Sequence, residues 1–155
     1  MYDNSFDIVF TSNGVFVWIE KLEKVFSEIY RILKVDGYYI FREVHPFQRP
    51  WKNNLLKIEV DKSYFDIGPF GNEIKRYHGK MDDIINSIIS SKLHICEIKE
   101  AKSINDTWWE FPVYESHIKY TNSLHDWKKN NLAALPIWLL VVCKKCFSEK
   151  SLTSR

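Results

Sequence analysis

The chain has 155 residues, 45% hydrophobic and 15% aromatic, and its 22 Lys and Arg are interspersed with 20 Asp and Glu for a net charge of +2. This predicts one globular domain with a substantial core, and it gives no ground for disorder or for nucleic-acid binding. The polar start Met1-Tyr2-Asp3-Asn4 carries no secretory pattern, and the longest apolar run, Leu132–Cys143, is short and broken by Pro136. A soluble cytoplasmic protein without membrane contact is expected.

The stretch from Ser5 to Phe47 reads as strand, helix, strand. Phe6–Thr11 is rich in Ile, Val and Phe, the mark of a strand buried on both faces. From Trp18 the period changes, and Ile19, Leu22, Phe26, Ile29 and Leu33 fall on one helical face. Lys34 is expected in the last turn, where a cation suits the helix dipole, with Gly37 as the stop. Tyr38–Val44 is the second strand, closed by His45-Pro46. Two buried strands joined by an amphipathic helix predict a right-handed crossover and a parallel pair.

An F-D-x-V strand followed by a helix ending Tyr30-Arg31-Ile32-Leu33-Lys34 before Asp36-Gly37 resembles class I methyltransferases that use S-adenosylmethionine. The usual helix end there is R-x-L-K-P-G-G, and Val35 and Asp36 replace the Pro and the first Gly. In that family the segment is the fourth strand, its helix and the fifth strand. The resemblance implies an α/β fold: half of a doubly wound Rossmann-like sheet (strands four, five, seven, six) with helices and an aromatic-rich insertion. It also implies that three βα units of about 30 residues each fall outside the chain.

After Phe47 the chain is loop-like and aromatic through Gln48-Arg49-Pro50-Trp51, and Leu55–Val60 reads as a short strand or arm. Ser63-Tyr64-Phe65-Asp66-Ile67-Gly68-Pro69, with Arg76-Tyr77-His78 after it, is similar to the substrate-side insertion of small-molecule methyltransferases. There S-Y-F-D-x-G-P precedes Y-H-R, and Gly79 stands where that Arg is usual. A plainer reading makes these aromatics packing residues under a long loop. Met81–Leu93 is a helix by period, with Ile84, Ile85, Ile88 and Ile89 as its apolar face and Asp82 and Asp83 at its positive end. Ile95–Ala101 alternates with charges, as at a sheet edge. Ser103–Asn131 has no clear period, with one helix placed around Ser116–Lys129. Leu139–Cys143, preceded by Pro136, is the last strand, central and, by the resemblance, antiparallel between the fifth and sixth. Residues 1–147 form one domain and 148–155 a tail.

The five glycines include no G-x-G, and no acidic residue ending a second strand is available to hold a ribose. Cys143 and Cys146 form a C-x-x-C after an apolar strand, without the second pair a four-sulfur zinc site needs or the helix start a redox pair prefers. The five histidines show no H-x-H or H-E-x-x-H spacing, so no metal is expected. By family position, Thr11, Ser12, Asn13, Gly14, Phe16 and Val17 touch the cofactor S-adenosylmethionine, and Trp51 and Tyr64 line the substrate side. His45, Glu43 and His78 are candidate bases, needed only where the nucleophile carries a proton. Each has a plainer reading: His45 ends a strand, Glu43 pairs with Arg31 or Arg42, and His78 caps a turn.

Three readings follow: the carboxy-terminal portion of a small-molecule methyltransferase, weak or inactive alone; a non-catalytic dimerisation or interaction module derived from one; or an unrelated ligand-binding α/β domain. The helix end and the Y-F-D-x-G-P segment argue against the third. Without the family's first strand, Phe6–Thr11 becomes an apolar edge lacking Pro or Lys, so a homodimer through the Phe6–Phe16 region is expected.

Overall fold

The computed structural model describes residues 2–52, 57–102 and 126–147. Strand β1 (Phe6–Ser12), helix α1 (Leu22–Ile32) and strand β2 (Leu33–Val44) form the expected crossover, and β1 pairs parallel to β2 with Val9 beside Tyr39 and Ser12 beside Arg42. Helix α2 (Met81–Ser90), strand β3 (Leu93–Ala101) and strand β4 (Trp138–Lys145) follow. The sheet order is β1-β2-β4-β3, with β4 antiparallel to both neighbours. The last strand is therefore central, and β3, with its charged alternation, is an edge.

One face of the sheet carries the core. Tyr39 and Phe41 of β2 and Leu139, Val141 and Cys143 of β4 are fully buried against Phe26 and Ile29 of α1 and Ile84 and Ile88 of α2. Side chains two apart on a strand share a face, so one register buries all five strand residues together. Phe16, Phe26, Tyr39 and Phe41 interlock as tilted and edge-on rings with centroids 5.1–6.0 Å apart. At the amino-terminal end of β2, the Lys145 ammonium donates to the Tyr30 and Leu33 carbonyls (2.7 and 2.9 Å) and to Asn4 Oδ1. It thereby satisfies acceptors left open at the end of α1.

Several expectations are corrected. Phe6–Thr11 is not buried on both faces: Val9 packs on the core, but Ile8 and Phe10 on the opposite face are 60% and 61% exposed. Both helices pack on the core face, and among the described residues no helix covers the other. The first helix starts at Leu22 rather than Trp18, because Val15–Trp18 forms a separate 3-10 turn that sends Phe16 into the core. It ends at Ile32, before Lys34, since Leu33 is already extended and fully buried. Lys34 instead pairs with Asp7 of the neighbouring strand at 2.8 Å. Gly37 is not the left-handed stop, as Asp36 takes the positive φ of 65°. Gly37 is a close-approach position, where a Cβ would meet the carbonyl oxygens of Lys34, Phe6 and Asp7 at 2.9–3.1 Å. In α2 the helix stops at Ser90, and Ile89 turns out to solvent.

The expected arm survives as a single antiparallel bridge, Trp51 with Val60, while residues 53–56 are outside the described part. The helix expected around Ser116–Lys129 falls mostly outside it, and 126–129 form a turn. The tail 148–155 is also outside. Among the described residues no helix is long and apolar enough to cross a membrane.

Gly37→Ala tests the β1–β2 approach. Forcing three carbonyls away from a new Cβ should lower stability by about 1–3 kcal/mol in urea unfolding. Unchanged stability would show that the strands approach less closely.

Candidate functional site

In an open α/β sheet, ligands sit beyond the carboxyl ends of the strands. Here those ends are Thr11-Ser12 of β1 and Glu43-Val44 of β2, adjacent because the strands run parallel. The chain leaves β1 through Asn13 and Gly14, both left-handed with φ of 63° and 81°, and then enters the 3-10 turn. A Cβ on Gly14 would meet only Val44 Cγ2, at 3.9 Å, so the space over this turn is open. Two consecutive left-handed residues re-aim the chain, so that Phe16 enters the core while its amide points back at β2.

That amide donates to Glu43 Oε2 at 3.4 Å. Glu43 is 2% exposed, and its Oε1 has no hydrogen-bond partner among the described residues. Burial pushes the carboxyl up to about 7, partly offset by the Phe16 and Val15 amides and by Arg49 nearby. Neither ion pair expected of it forms: Arg31 binds Asp3 and Glu28, and Arg42 stacks on Trp138 at 3.8 Å on the opposite face. Glu43 is thus an acid raised toward neutrality, facing a small cavity of about 20 Å³ that Phe16, Leu22, Arg49, Tyr77 and His78 also line.

The two histidines differ from it. His45 is buried with both ring nitrogens engaged: Nδ1 accepts from the Phe47 amide at 3.1 Å, and Nε2 lies 2.8 Å from Glu100 Oε1. It caps the 3-10 turn Pro46–Gln48 and ties the end of β2 to the edge strand, leaving no lone pair for a substrate. His78 lines the cavity, but its Nδ1 accepts from Lys62 Nζ. Burial, then Arg49, Lys62 and Arg76, push its pKa down to about 3, so the ring is neutral.

Of the expected cofactor contacts, Thr11 spends its hydroxyl on Tyr39 Oη at 2.7 Å, and Phe16 is a core residue. Ser12, Asn13, Gly14 and Val17 lie on the lip itself. Trp51 donates Nε1–H to the Phe47 carbonyl, and the Tyr64 hydroxyl accepts the first amide of α2, from Met81, at 2.8 Å. Ring contacts of 5.7 and 6.0 Å through Phe47 join Trp51 and Tyr64 into one wall. The positive group Arg49, Lys62 and Arg76 was not singled out in the sequence, where no spacing marks it.

The C-x-x-C is divided between a buried Cys143, whose thiol is pushed up to about 12 by burial, and an exposed Cys146. It is not an activated thiol pair. Among the described residues no cluster of three or more His, Cys, Asp or Glu forms a metal site.

The methyltransferase-domain family matches residues 1–41, the segment that holds β1, α1 and most of β2. Similar folds include a protein from Listeria monocytogenes assigned as an S-adenosylmethionine-dependent methyltransferase (19% identity, TM-score 0.63, covering 94% of this chain and 63% of that one). An S-adenosylmethionine-dependent methyltransferase from Mesorhizobium loti gives 17% identity and a TM-score of 0.63, with 92% and 63% covered. Geranyl diphosphate C-methyltransferase from Streptomyces coelicolor gives 13% identity and a TM-score of 0.55, with 93% and 49% covered. The chain thus spans 63% of the length of the first two and about half of the third. No curated protein matches the sequence.

Glu43 and His78 impose opposite pH dependences on stability. Glu43 ionises near pH 4.5 unfolded and near 7 folded. Between these values the unfolded chain releases a proton that the folded one keeps, so Glu43 lowers stability as pH rises, levelling off above 7. His78, near 6.5 unfolded and 3 folded, lowers stability as pH falls below 6.5. Glu43→Gln isolates the first effect. It should match the wild type near pH 4.5 and exceed it by about 2–3 kcal/mol at pH 8 in urea unfolding. A difference independent of pH would place the Glu43 carboxyl in water.

Proposed function

We infer that this chain, which has the fold of the class I S-adenosylmethionine-dependent methyltransferases, supplies the acceptor side and one cofactor lip of a small-molecule methyltransferase. The observation that carries this reading is the β1–β2 crevice, where an open left-handed turn at Asn13-Gly14 faces Glu43, a carboxyl poised near neutrality. Such a turn offers backbone to one edge of a cofactor. When bound, S-adenosylmethionine supplies an electrophilic methyl group on sulfur. The chain's own contribution is positioning, exclusion of water by Phe16, Leu22 and Tyr77, and a proton acceptor. Glu43 is the best placed of the three candidate bases, because its Oε1 has no partner among the described residues while His45 is committed and His78 is held against Lys62.

The glycine loop and the ribose-binding acid have no counterpart in the sequence, so the lip fits only one edge of the cofactor. The chain alone is therefore weak or inactive, and a polypeptide bearing that loop completes the site. The reading of a non-catalytic module derived from a methyltransferase rests on the same absence, and activity separates the two. Alone in solution, a second copy pairs through β1, whose outer edge pairs with no described strand and whose Ile8 and Phe10 stand exposed.

Calorimetry should find S-adenosylmethionine binding to the purified chain weaker than about 1 mM, and low-micromolar binding would overturn the incompleteness. In a completed protein, Asn13→Ala should weaken cofactor binding more than His45→Ala, and the reverse order would displace the lip. Light scattering should find a dimer that Ile8→Lys converts to monomer. A monomeric wild type refutes the pairing.

A further inference from the structure

Beside the Glu43 cavity, three cations from separate parts of the chain meet around one ring. Arg49 comes from the turn after β2, and Lys62 and Arg76 come from the insertion that follows. The ring is His78, with Lys62 Nζ at its Nδ1 and Phe70 stacked on it at 4.5 Å between centroids. Lys62 Nζ also lies 3.5 Å above the Phe70 ring, which fixes the ammonium from a second side. Backbone bonds hold the group in place: the Tyr77 amide donates to the Val17 carbonyl, the His78 amide to Ile67, and Phe70 and Arg76 form a reciprocal pair.

The guanidinium groups of Arg49 and Arg76 make no hydrogen bond or ion pair with a described residue. Arg49 is half-buried beside the cavity it lines, and Arg76 is exposed at its margin, in sequence next to Tyr77. Acids lie at the margins only, with Glu43 toward Arg49 and Asp61 and Asp66 toward Lys62. Burial raises the Glu43 carboxyl toward neutrality, so the counter-charge it offers Arg49 is only partial. Burial first, and then the fields of Arg49, Lys62 and Arg76, lower the pKa of the His78 ring and keep it neutral. A cation taken out of water without a partner is costly, and a guanidinium fork is built to receive two oxygens at once.

We propose that the Arg49–Arg76–Lys62 group is an anion-binding subsite, which takes the carboxylate or phosphate of a small ligand. Calling that ligand the methyl acceptor rests on the function inferred above; binding of the anion does not.

The test uses the chain as it is, without S-adenosylmethionine, so methyl transfer plays no part in the outcome. Calorimetry in a chloride-poor buffer should detect inorganic phosphate or benzoate at about 1 mM or tighter. Phosphate as the tighter anion identifies a phosphate ester, and benzoate a carboxylic acid. Arg49→Gln and Arg76→Gln should each weaken the preferred anion about tenfold or more, and Lys24→Gln, an exposed cation on α1, should leave it unchanged. Without anion, Arg49→Gln should be at least as stable as the wild type in urea, since it removes an unpaired cation from a half-buried place. Failure of both anions to bind, equal loss in Lys24→Gln, or an Arg49→Gln chain less stable than the wild type would overturn the subsite.

Discussion

The interlocked rings of Phe16, Phe26, Tyr39 and Phe41 are the contact on which the rest depends. Phe26 comes from α1, Tyr39 and Phe41 from β2, and Phe16 from the turn that leaves β1. Burying four aromatic side chains in one place therefore closes the crossover and seats the turn in one step. Once Phe16 is committed to the core, its amide has little choice but to face the end of β2. The geometry of the crevice is a by-product of core packing.

That coupling explains why a carboxyl is tolerated where Glu43 sits. It occupies the next inward-facing position after Tyr39 and Phe41, in register with buried Leu139. A buried carboxylate with one oxygen unpartnered among the described residues is costly, and the structure moderates the cost with two amides and a nearby guanidinium. The result is a proton held near neutrality instead of a fixed charge. The histidines reach opposite ends: His45 is locked by Glu100 and a backbone amide, and His78 is kept neutral by its surroundings.

Charges on the sheet and in the insertion differ in the same way. Lys34 with Asp7 and Lys144 with Asp36 are ordinary exposed pairs that contribute little. The cations near His78 are different because they gather beside a cavity and are only weakly opposed by acids.

Periodicity alone carried the crossover, the edge character of β3 and the central place of β4. A three-to-four repeat and an apolar run are local properties that the chain writes directly. The family resemblance added the crevice and its lip, and Glu43 stood among its candidates. Element ends were less legible: α1 stops at Ile32 because Leu33 must turn into the core, and Asp36 rather than Gly37 takes the left-handed turn because β1 passes too close for a side chain at Gly37. Whether β1 is covered on one face or two depends on where the helices pack, which no single strand encodes. The state of each candidate base also depends on neighbours distant in sequence: Phe16 for Glu43, Glu100 for His45, Arg49 and Lys62 for His78. By itself the sequence determined which segments become strands and helices and which of their faces are apolar, since these follow from adjacent residues. Only the tertiary structure decided protonation, exposure and convergence of charge, since each of these is a property of groups brought together through space.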